Sequence, residues 1–273
     1  MTWLALAVGG GFFNALWTAL SKKVLANQTP REFTLAFRAM TCLFLLPFAA
    51  FQWVWPLPTR WWLLALAAGV LEGLRIYLLT IGVTQDYYST YAFFNLTAFF
   101  TVLLAPLFLP ESQSLWLVLG GLCMAAGAFV FHRLGRWSWP GLTGALASTL
   151  WAIASKDALR DSPPLFFAFW CFGISAFILF PLDYLGGKPL RWKILGKHWK
   201  ETAWVSFWSL WATVLSYLAL AHAPASKVNP LIRSNLLFGF FFSYYLLGEK
   251  KGWRLKALGG GLIVAGLVLV ALG

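Results

Sequence analysis

The sequence LWTALSKKVL occupies residues 16–25 of this chain, and LWAIASKDAL occupies residues 150–159. Five of the ten positions are identical at an offset of 134 residues, which is far more than chance gives. Later in each half, Glu111 precedes a glycine-rich run, and so does Glu249. Similarity that recurs at a nearly constant spacing is typical of an internal repeat. The chain is therefore predicted to contain two copies of one structural unit.

The composition places both copies in a membrane. Of the 273 residues, 60% are hydrophobic and 11% are charged, whereas about 25% are charged in a soluble domain. A soluble protein could not cover its surface with so few polar groups. The net charge of +12 comes from lysines and arginines that mostly lie between apolar stretches, where they meet lipid headgroups rather than nucleic acid. We therefore expect an integral, multi-pass protein of the lipid bilayer.

Ten stretches are long enough to cross a bilayer, whose apolar core of about 30 Å needs about 20 helical residues. Eight of them carry no charged side chain, and two hold interior charges. The predicted spans are residues 1–21, 39–59, 61–83, 87–110, 112–131, 137–155, 162–182, 202–226, 228–248 and 257–273. The fold class is therefore an all-α membrane protein with ten transmembrane helices and no extramembrane domain.

Each copy holds five spans, with the first repeat at residues 1–136 and the second at residues 137–273. An odd number of spans gives the two repeats opposite orientations in the membrane. Inverted repeats are typical of secondary transporters, whose site lies near the bilayer midplane between the halves. Small residues four positions apart in spans five and ten predict close helix packing, and they are Gly121, Ala125, Ala257, Gly261 and Ala265.

The chain resembles the drug/metabolite transporter superfamily, in its ten-span EamA-type branch. The resemblance covers essentially the whole chain. It rests on the Leu-Trp…Ser-Lys pattern that ends spans one and six, on Arg38, and on Pro110-Glu111 and Gly248-Glu249 before spans five and ten. Many members carry proline early in spans four and nine, near the places where this chain has Asn95-Leu96-Thr97 and Ser234-Asn235.

The resemblance implies transport of small metabolites or drugs by alternating access, through a cavity lined by spans one to four and six to nine. It also implies the inner or plasma membrane of a bacterial or archaeal cell, with both termini in the cytoplasm. The charge distribution favours the reverse orientation. Fourteen Lys and Arg lie on the side opposite the termini and four on the side of the termini, so the positive-inside rule places the termini outside. Both orientations stay open.

Span three holds Glu72 and Arg75, which are three residues apart and therefore lie on one helix face. Ionisable groups at this depth are costly and usually face a cavity or a transport path. The other acids lie at span ends, so Glu72 is the one carboxylate expected at midplane depth. We predict that it binds a coupling proton or a substrate amine. The alternative is an internal ion pair that only fixes the packing.

Arg38, directly before the charge-free run of span two, and Arg233, inside span nine, are the other charges of interest. Arg38 is close enough to the start of its span to reach the headgroups, so snorkelling and a gating or anion-binding role are both open. Arg233 has no acid within one helical turn in sequence. Guanidinium groups bind carboxylates and phosphates through two parallel hydrogen bonds. Arg233 is therefore predicted to bind an anionic group of the substrate.

Polar and aromatic side chains in repeat-related spans complete the candidate site. Asn95 and Asn235 could contact a ligand or bond to neighbouring helices. Trp17 and Trp151 could stack on a ligand, bind a cation through the ring face, or only pack. Tyr77 is included because it corresponds to Tyr217 in the other repeat.

These residues favour a secondary transporter of a small polar metabolite, an amino acid or related zwitterion, with a proton as the candidate coupling ion. The alternative within transporters is an organic-phosphate or nucleotide-type exchanger. An intramembrane enzyme would need a convergent catalytic set, and a channel would need a selectivity filter or a ring of charge, and the sequence suggests neither. Neither a cofactor nor a metal is expected, because the three His and three Cys lack metal-binding spacing.

Overall fold

The computed structural model describes residues 2–55, 57–85, 87–132, 137–185, 198–247 and 253–273, and these ranges are helical without strands. The helices are α1 (Thr2–Leu25), α2 (Pro30–Phe51), α3 (Thr59–Gln85), α4 (Tyr87–Phe94), α5 (Thr97–Phe108), α6 (Leu115–His132), α7 (Trp139–Ala158), α8 (Pro164–Leu185), α9 (Trp199–His222), α10 (Ala225–Ile232), α11 (Asn235–Leu247) and α12 (Trp253–Leu272). Helices α4 and α5 follow one another as a single broken span, and so do α10 and α11. The chain therefore has the ten predicted spans.

Length and hydropathy are consistent with a membrane location. Within the described residues, five helical stretches are long and apolar enough to cross a bilayer, and they are Thr2–Leu25, Pro30–Phe51, Thr59–Gln85, Thr90–Phe108 and Trp199–His222. Three shorter apolar helices cover Leu115–Val130, Pro164–Phe180 and Ala257–Leu272. Large apolar side chains such as Phe177 and Leu107 are exposed on the outside, as expected for a surface that faces lipid.

Helix α2 begins nine residues before the predicted span. The Thr29 side chain accepts a hydrogen bond from the Glu32 backbone N–H, while the Glu32 carboxylate accepts one from the Thr29 N–H. This capping box, with Pro30 in the first helical turn, starts the helix among charged residues. The predicted span leaves these residues out because it counts only the charge-free run. Arg38 consequently lies eight residues inside the helix, at a depth of about 12 Å along its axis.

The connection between spans eight and nine also differs from the prediction. Helix α9 ends at His222, and α10 begins at Ala225, whereas the apolar pattern continued the first of these spans to Ser226. Pro224 has no backbone N–H and disfavours a helical conformation of the residue before it. The chain therefore turns at Ala223 and Pro224, and α10 starts there as a separate short helix.

The two repeats pack mainly against each other. Helix α1 of the first repeat lies against α9 of the second. The equivalent pair, α7 of the second repeat and α3 of the first, is in contact in the same way. Helix α2 packs on its own counterpart α8, and α6 on its counterpart α12. Because the main contacts run between repeats, the centre of the bundle is built from both halves.

Glycines set the closest approach of α6 and α12. A methyl group on Gly120 would come within 2.8 Å of the Gly266 carbonyl oxygen, and one on Gly127 would come within 2.8 Å of the Gly259 carbonyl oxygen. In span ten the predicted stripe was therefore in the wrong register, since a methyl group on Gly261 would meet nothing within 4 Å. In span five the predicted close packing is present but is made with α5, since a methyl group on Gly121 would lie 3.6 Å from Phe99 Cα. Periodicity alone does not say which of several small residues on a helix faces the neighbour.

We expect Gly266→Ala to destabilise the protein by about 1–3 kcal/mol, because the added methyl group would overlap backbone atoms of α6. Gly261→Ala is the matched control in the same helix, and it should be neutral or stabilising by up to about 1 kcal/mol through helix propensity. Thermal unfolding of the purified variants measures both. Equal unfolding temperatures for the two variants would contradict the crossing described here.

Candidate functional site

Three charged side chains meet in the middle of the bundle. Arg38 on α2 places Nη2 2.7 Å from Glu72 Oε1 on α3. Arg75, one turn after Glu72, donates from Nη2 to the same Oε1 at 2.7 Å and from Nε to Oε2. All three side chains are buried. Glu72 is thus the counter-ion of two guanidinium groups, and the predicted pairing of Glu72 with Arg75 is part of a larger cluster.

Arg233 lies at the break between α10 and α11. Its Nη2 donates to Ser148 Oγ on α7 at 2.6 Å and to Asn229 Oδ1 at 3.4 Å. In the part of the chain that the structure describes, no carboxylate pairs with it. Its Nε is buried without a hydrogen-bond partner among the described residues. Arg233 therefore brings an uncompensated positive charge to the bundle centre.

Each of the three guanidinium groups has an aromatic ring against one face. Arg38 lies 4.4 Å from the ring centroid of Phe172, Arg75 lies 4.7 Å from that of Trp151, and Arg233 lies 4.9 Å from that of Phe94. Cation–π contacts of this kind are stronger when desolvated. The rings hold the planar groups in place and leave their hydrogen-bonding edges for other partners.

A narrow cavity with a free volume of about 30 Å³ lies beside these arginines. Five of the nine predicted site residues line it, namely Trp17, Arg38, Arg75, Trp151 and Arg233. The other lining residues are Asn14, Phe172, Ser209, Ala212, Thr213, Ser216, Tyr217, Asn229 and Ile232. Both repeats contribute, as expected for a site between inverted halves.

Four of the predicted residues lie elsewhere. Glu72 lies behind Arg38 and Arg75 and does not line the cavity. The Tyr77 hydroxyl accepts a hydrogen bond from Arg31 Nε at 3.3 Å and Tyr77 does not line the cavity. Its repeat counterpart Tyr217 does line it. Asn95 and Asn235 are buried at the two helix breaks. Their contact with a ligand stays a prediction.

Donor groups without partners gather around the cavity. Among the described residues, no hydrogen-bond partner is present for Arg38 Nε or Arg233 Nε, and both atoms are buried. Buried donors are normally satisfied, and an unsatisfied one costs about 1–3 kcal/mol. A guanidinium N–H can only donate. The cavity is therefore suited to a ligand that brings hydrogen-bond acceptors.

The helix breaks bring polar groups to this depth. At the first, Asn95 Nδ2 donates to the Tyr91 carbonyl oxygen at 2.6 Å, and Thr97 Oγ1 donates to the Phe94 carbonyl oxygen at 2.6 Å. At the second, the Arg233 N–H donates to the Pro230 carbonyl oxygen at 3.0 Å. At the first break side-chain donors thus satisfy backbone carbonyl oxygens where the span bends, and at the second a backbone N–H does so.

Hydroxyl groups along α9 were missed by the sequence reasoning. Ser209, Thr213 and Ser216 line the cavity, and Thr202 and Ser206 precede them on the same helix face. The spacing of three and four residues within an apolar helix was a signal that could have found them. Asn14 and Ser148 are single residues and offered no pattern.

On the side of the membrane that holds the termini, two charged side chains fix the α9–α10 connection. Glu111 accepts hydrogen bonds from the backbone N–H groups of Ala225 at 2.7 Å and Ser226 at 2.9 Å. Lys156 Nζ donates to the carbonyl oxygens of Leu220 at 2.6 Å and Ala223 at 2.9 Å. The negative group caps the start of α10 and the positive group caps the end of α9, as the helix dipoles favour.

Comparisons with known proteins agree with this architecture. A model of the EamA-like transporter family matches residues 1–133 and again residues 136–272. A solved structure titled only "Crystal structure of protein" is similar in fold, with a TM-score of 0.73 and 16% sequence identity over 97% of this chain and 98% of that chain. At that identity the likeness shows the fold alone. No curated protein matches the chain.

Proposed function

Because the chain belongs to the EamA-like transporter family, we propose that it is a secondary transporter of a small organic anion. The first substrate class is a carboxylate of the amino-acid or zwitterion type, carried through the central cavity by alternating access. The observation that supports this proposal is the set of unpartnered donors at the cavity, in which Arg38 and Arg233 each hold a free Nε.

The charges at the site favour an anion. Among the described residues, the site holds three guanidinium groups, of Arg38, Arg75 and Arg233, and one carboxylate, of Glu72, so it has a surplus of two positive charges. Unbalanced charge within a membrane is costly. A substrate carboxylate would compensate part of this surplus and accept charge-assisted hydrogen bonds from the free guanidinium edges.

The remaining walls suit a small polar body. The hydroxyl groups of Ser209, Thr213 and Ser216 can accept hydrogen bonds from a substrate amine, although no carboxylate among the described residues lines the cavity. The free volume of about 30 Å³ holds about two water molecules, so in this proposal the helices around the cavity move apart to admit the substrate. An organic phosphate is the second candidate, because the surplus of two positive charges matches a dianion.

Arg233→Ala should weaken substrate binding about 30-fold or more, because among the described residues it removes the one buried guanidinium without a carboxylate partner. Thermal stabilisation of the purified protein by a panel of amino acids, amines, phosphates and nucleotides measures the affinity. Arg160→Ala, at a partly exposed arginine away from the cavity, is the control. Stabilisation by amines alone, or a wild-type response of Arg233→Ala, would contradict the anion site.

We propose Glu72 as the site of a coupling proton. A substrate carboxylate that binds Arg38 and Arg75 competes with Glu72 for the same guanidinium groups, and a proton on Glu72 would replace the hydrogen bonds that it loses. Transport of the anion would then be linked to a proton.

In proteoliposomes, Glu72→Gln should abolish accumulation driven by a pH gradient while exchange of labelled for unlabelled substrate continues. The exposed Glu201→Gln serves as the control. Accumulation that still follows the pH gradient in Glu72→Gln would exclude this role. Loss of exchange as well would assign Glu72 to structure, since removal of one partner from a buried ion pair costs about 3–5 kcal/mol.

Alternating access requires a contact that opens and closes, and the caps by Glu111 and Lys156 are the proposed closing contact on the side of the termini. Both groups hold the α9–α10 connection. Below it lies the buried thiol of Cys171, next to Trp151 and Tyr217. The thiol therefore serves as a built-in reporter of opening.

In a Cys42→Ser, Cys123→Ser background, Glu111→Gln should increase the rate of Cys171 alkylation about tenfold, because the neutral amide is a weaker cap than the carboxylate. Mass spectrometry after reaction with a small maleimide measures the rate. Glu201→Gln again provides the control. An unchanged rate in Glu111→Gln would show that the caps do not close this side.

A further inference from the structure

A second recess lies on the outer surface of the bundle, between α2 and α9. It is lined by Phe44, Trp199, Lys200, Ala203, Trp204 and Phe207, and its free space is about 620 Å³ when the open side is included. The α9 members form two adjacent pairs and one single residue, which recur every three or four positions and so lie on one side of the helix. The small side chain of Ala203 forms the floor between larger aromatic walls. The recess is therefore an apolar groove that opens towards lipid.

The groove runs from the membrane surface towards the midplane. Hydrogen bonds of 3.2 Å from Gln28 Nε2 to Thr202 Oγ1 and of 3.3 Å from Ser206 Oγ to the Phe37 carbonyl oxygen fix α2 and α9 with their starts at similar depth. The lining residues on α9 run from Trp199 to Phe207, which is about 12 Å at 1.5 Å per residue. One leaflet contributes about 15 Å of apolar thickness. The groove thus covers most of the apolar depth of one leaflet.

The walls of the groove are rigid and aromatic. The rings of Trp204 and Phe207 are stacked, with centroids 5.9 Å apart and planes 12° apart. Trp204 also packs edge-on against Trp208 at 5.3 Å, which holds it in place. Such walls offer extensive dispersion contacts to an acyl chain.

A positive charge lies at the mouth. The Lys200 ammonium is exposed, 5.9 Å from the Trp199 ring centroid. The neighbouring acid Glu201 is directed to His198, with 3.9 Å between the carboxylate and Nδ1. This is also the membrane side that carries fourteen of the Lys and Arg. Lysine beside tryptophan at headgroup depth is an arrangement that attracts anionic lipids.

We propose that this groove binds one anionic phospholipid of the phosphatidylglycerol type, with the headgroup phosphate at Lys200 and one acyl chain between Phe44 and Phe207. The opposite face of α9 carries Ser209, Thr213 and Ser216, which line the central cavity. The lipid therefore supports a wall of the cavity from outside. This site does not depend on which substrate the cavity takes.

The test is native mass spectrometry of the detergent-purified protein with phosphatidylglycerol or phosphatidylcholine of matched chain length. We expect one phosphatidylglycerol per chain, retained at least fivefold better than phosphatidylcholine. Lys200→Glu should remove that preference. Ala203→Trp should fill the groove and displace both lipids, with the unfolding temperature confirming that the variant is folded.

Lys23→Glu makes the same charge change at an exposed lysine on the same membrane side, and it should leave the preference intact. Three results would overturn the proposal. Equal retention of both lipids by the wild-type protein would mean non-selective contact with the bilayer. An equal effect of Lys23→Glu and Lys200→Glu would mean a general charge effect. A dimer that Ala203→Trp dissociates would mean that a second copy of the chain occupies the groove.

Discussion

Three guanidinium groups lie at the centre of the bundle and two of them share one carboxylate, and the surrounding helices have to keep these charges in a membrane. Arg38 and Arg75 hold Glu72, while Arg233 has only the neutral oxygens of Ser148 and Asn229. Charge at this depth is tolerated when it is paired or faces a polar cavity. Arg233, which Glu72 does not pair with, faces the polar cavity, whose wall on α9 is lined with hydroxyl groups.

The fold has approximate two-fold symmetry, but the site does not. The first repeat supplies the ion cluster of Arg38, Glu72 and Arg75, and the second supplies Arg233 and the α9 hydroxyl groups. Trp17 and Trp151 are repeat counterparts, yet Trp151 covers Arg75 whereas Trp17 packs on Phe37. Duplication thus provides the framework, and divergence between the copies makes the two sides of the cavity chemically different.

Much of the architecture could be predicted from the sequence, because the bilayer imposes length and apolarity on every span and the repeat gives the spans their pairing. The depth of Glu72, Arg75 and Arg233 followed from their place within apolar runs. The start of α2 at Pro30 could not be predicted from the apolar pattern, because a capping box can begin a helix among charged residues. The environment of Glu72 also could not be predicted. Arg38 on α2 contacts Glu72 on α3, and a single sequence does not show which residues of two neighbouring helices lie at the same depth. Tyr77 was chosen by correspondence with Tyr217, and side-chain contacts are where the two repeats differ most.

The glycine crossing of α6 and α12 has a bearing on how the two halves recognise each other. Gly120 meets Gly266, and their repeat counterparts Gly259 and Gly127 meet each other. In a contact of this form, position i of one unit touches position j of the other, and j touches i, which is the geometry of an isologous homodimer interface. A single five-helix unit, inserted in both orientations, would present this surface to its own copy. The two halves are therefore specified for association by the last helix of each, and covalent linkage serves to fix their stoichiometry and opposite orientation.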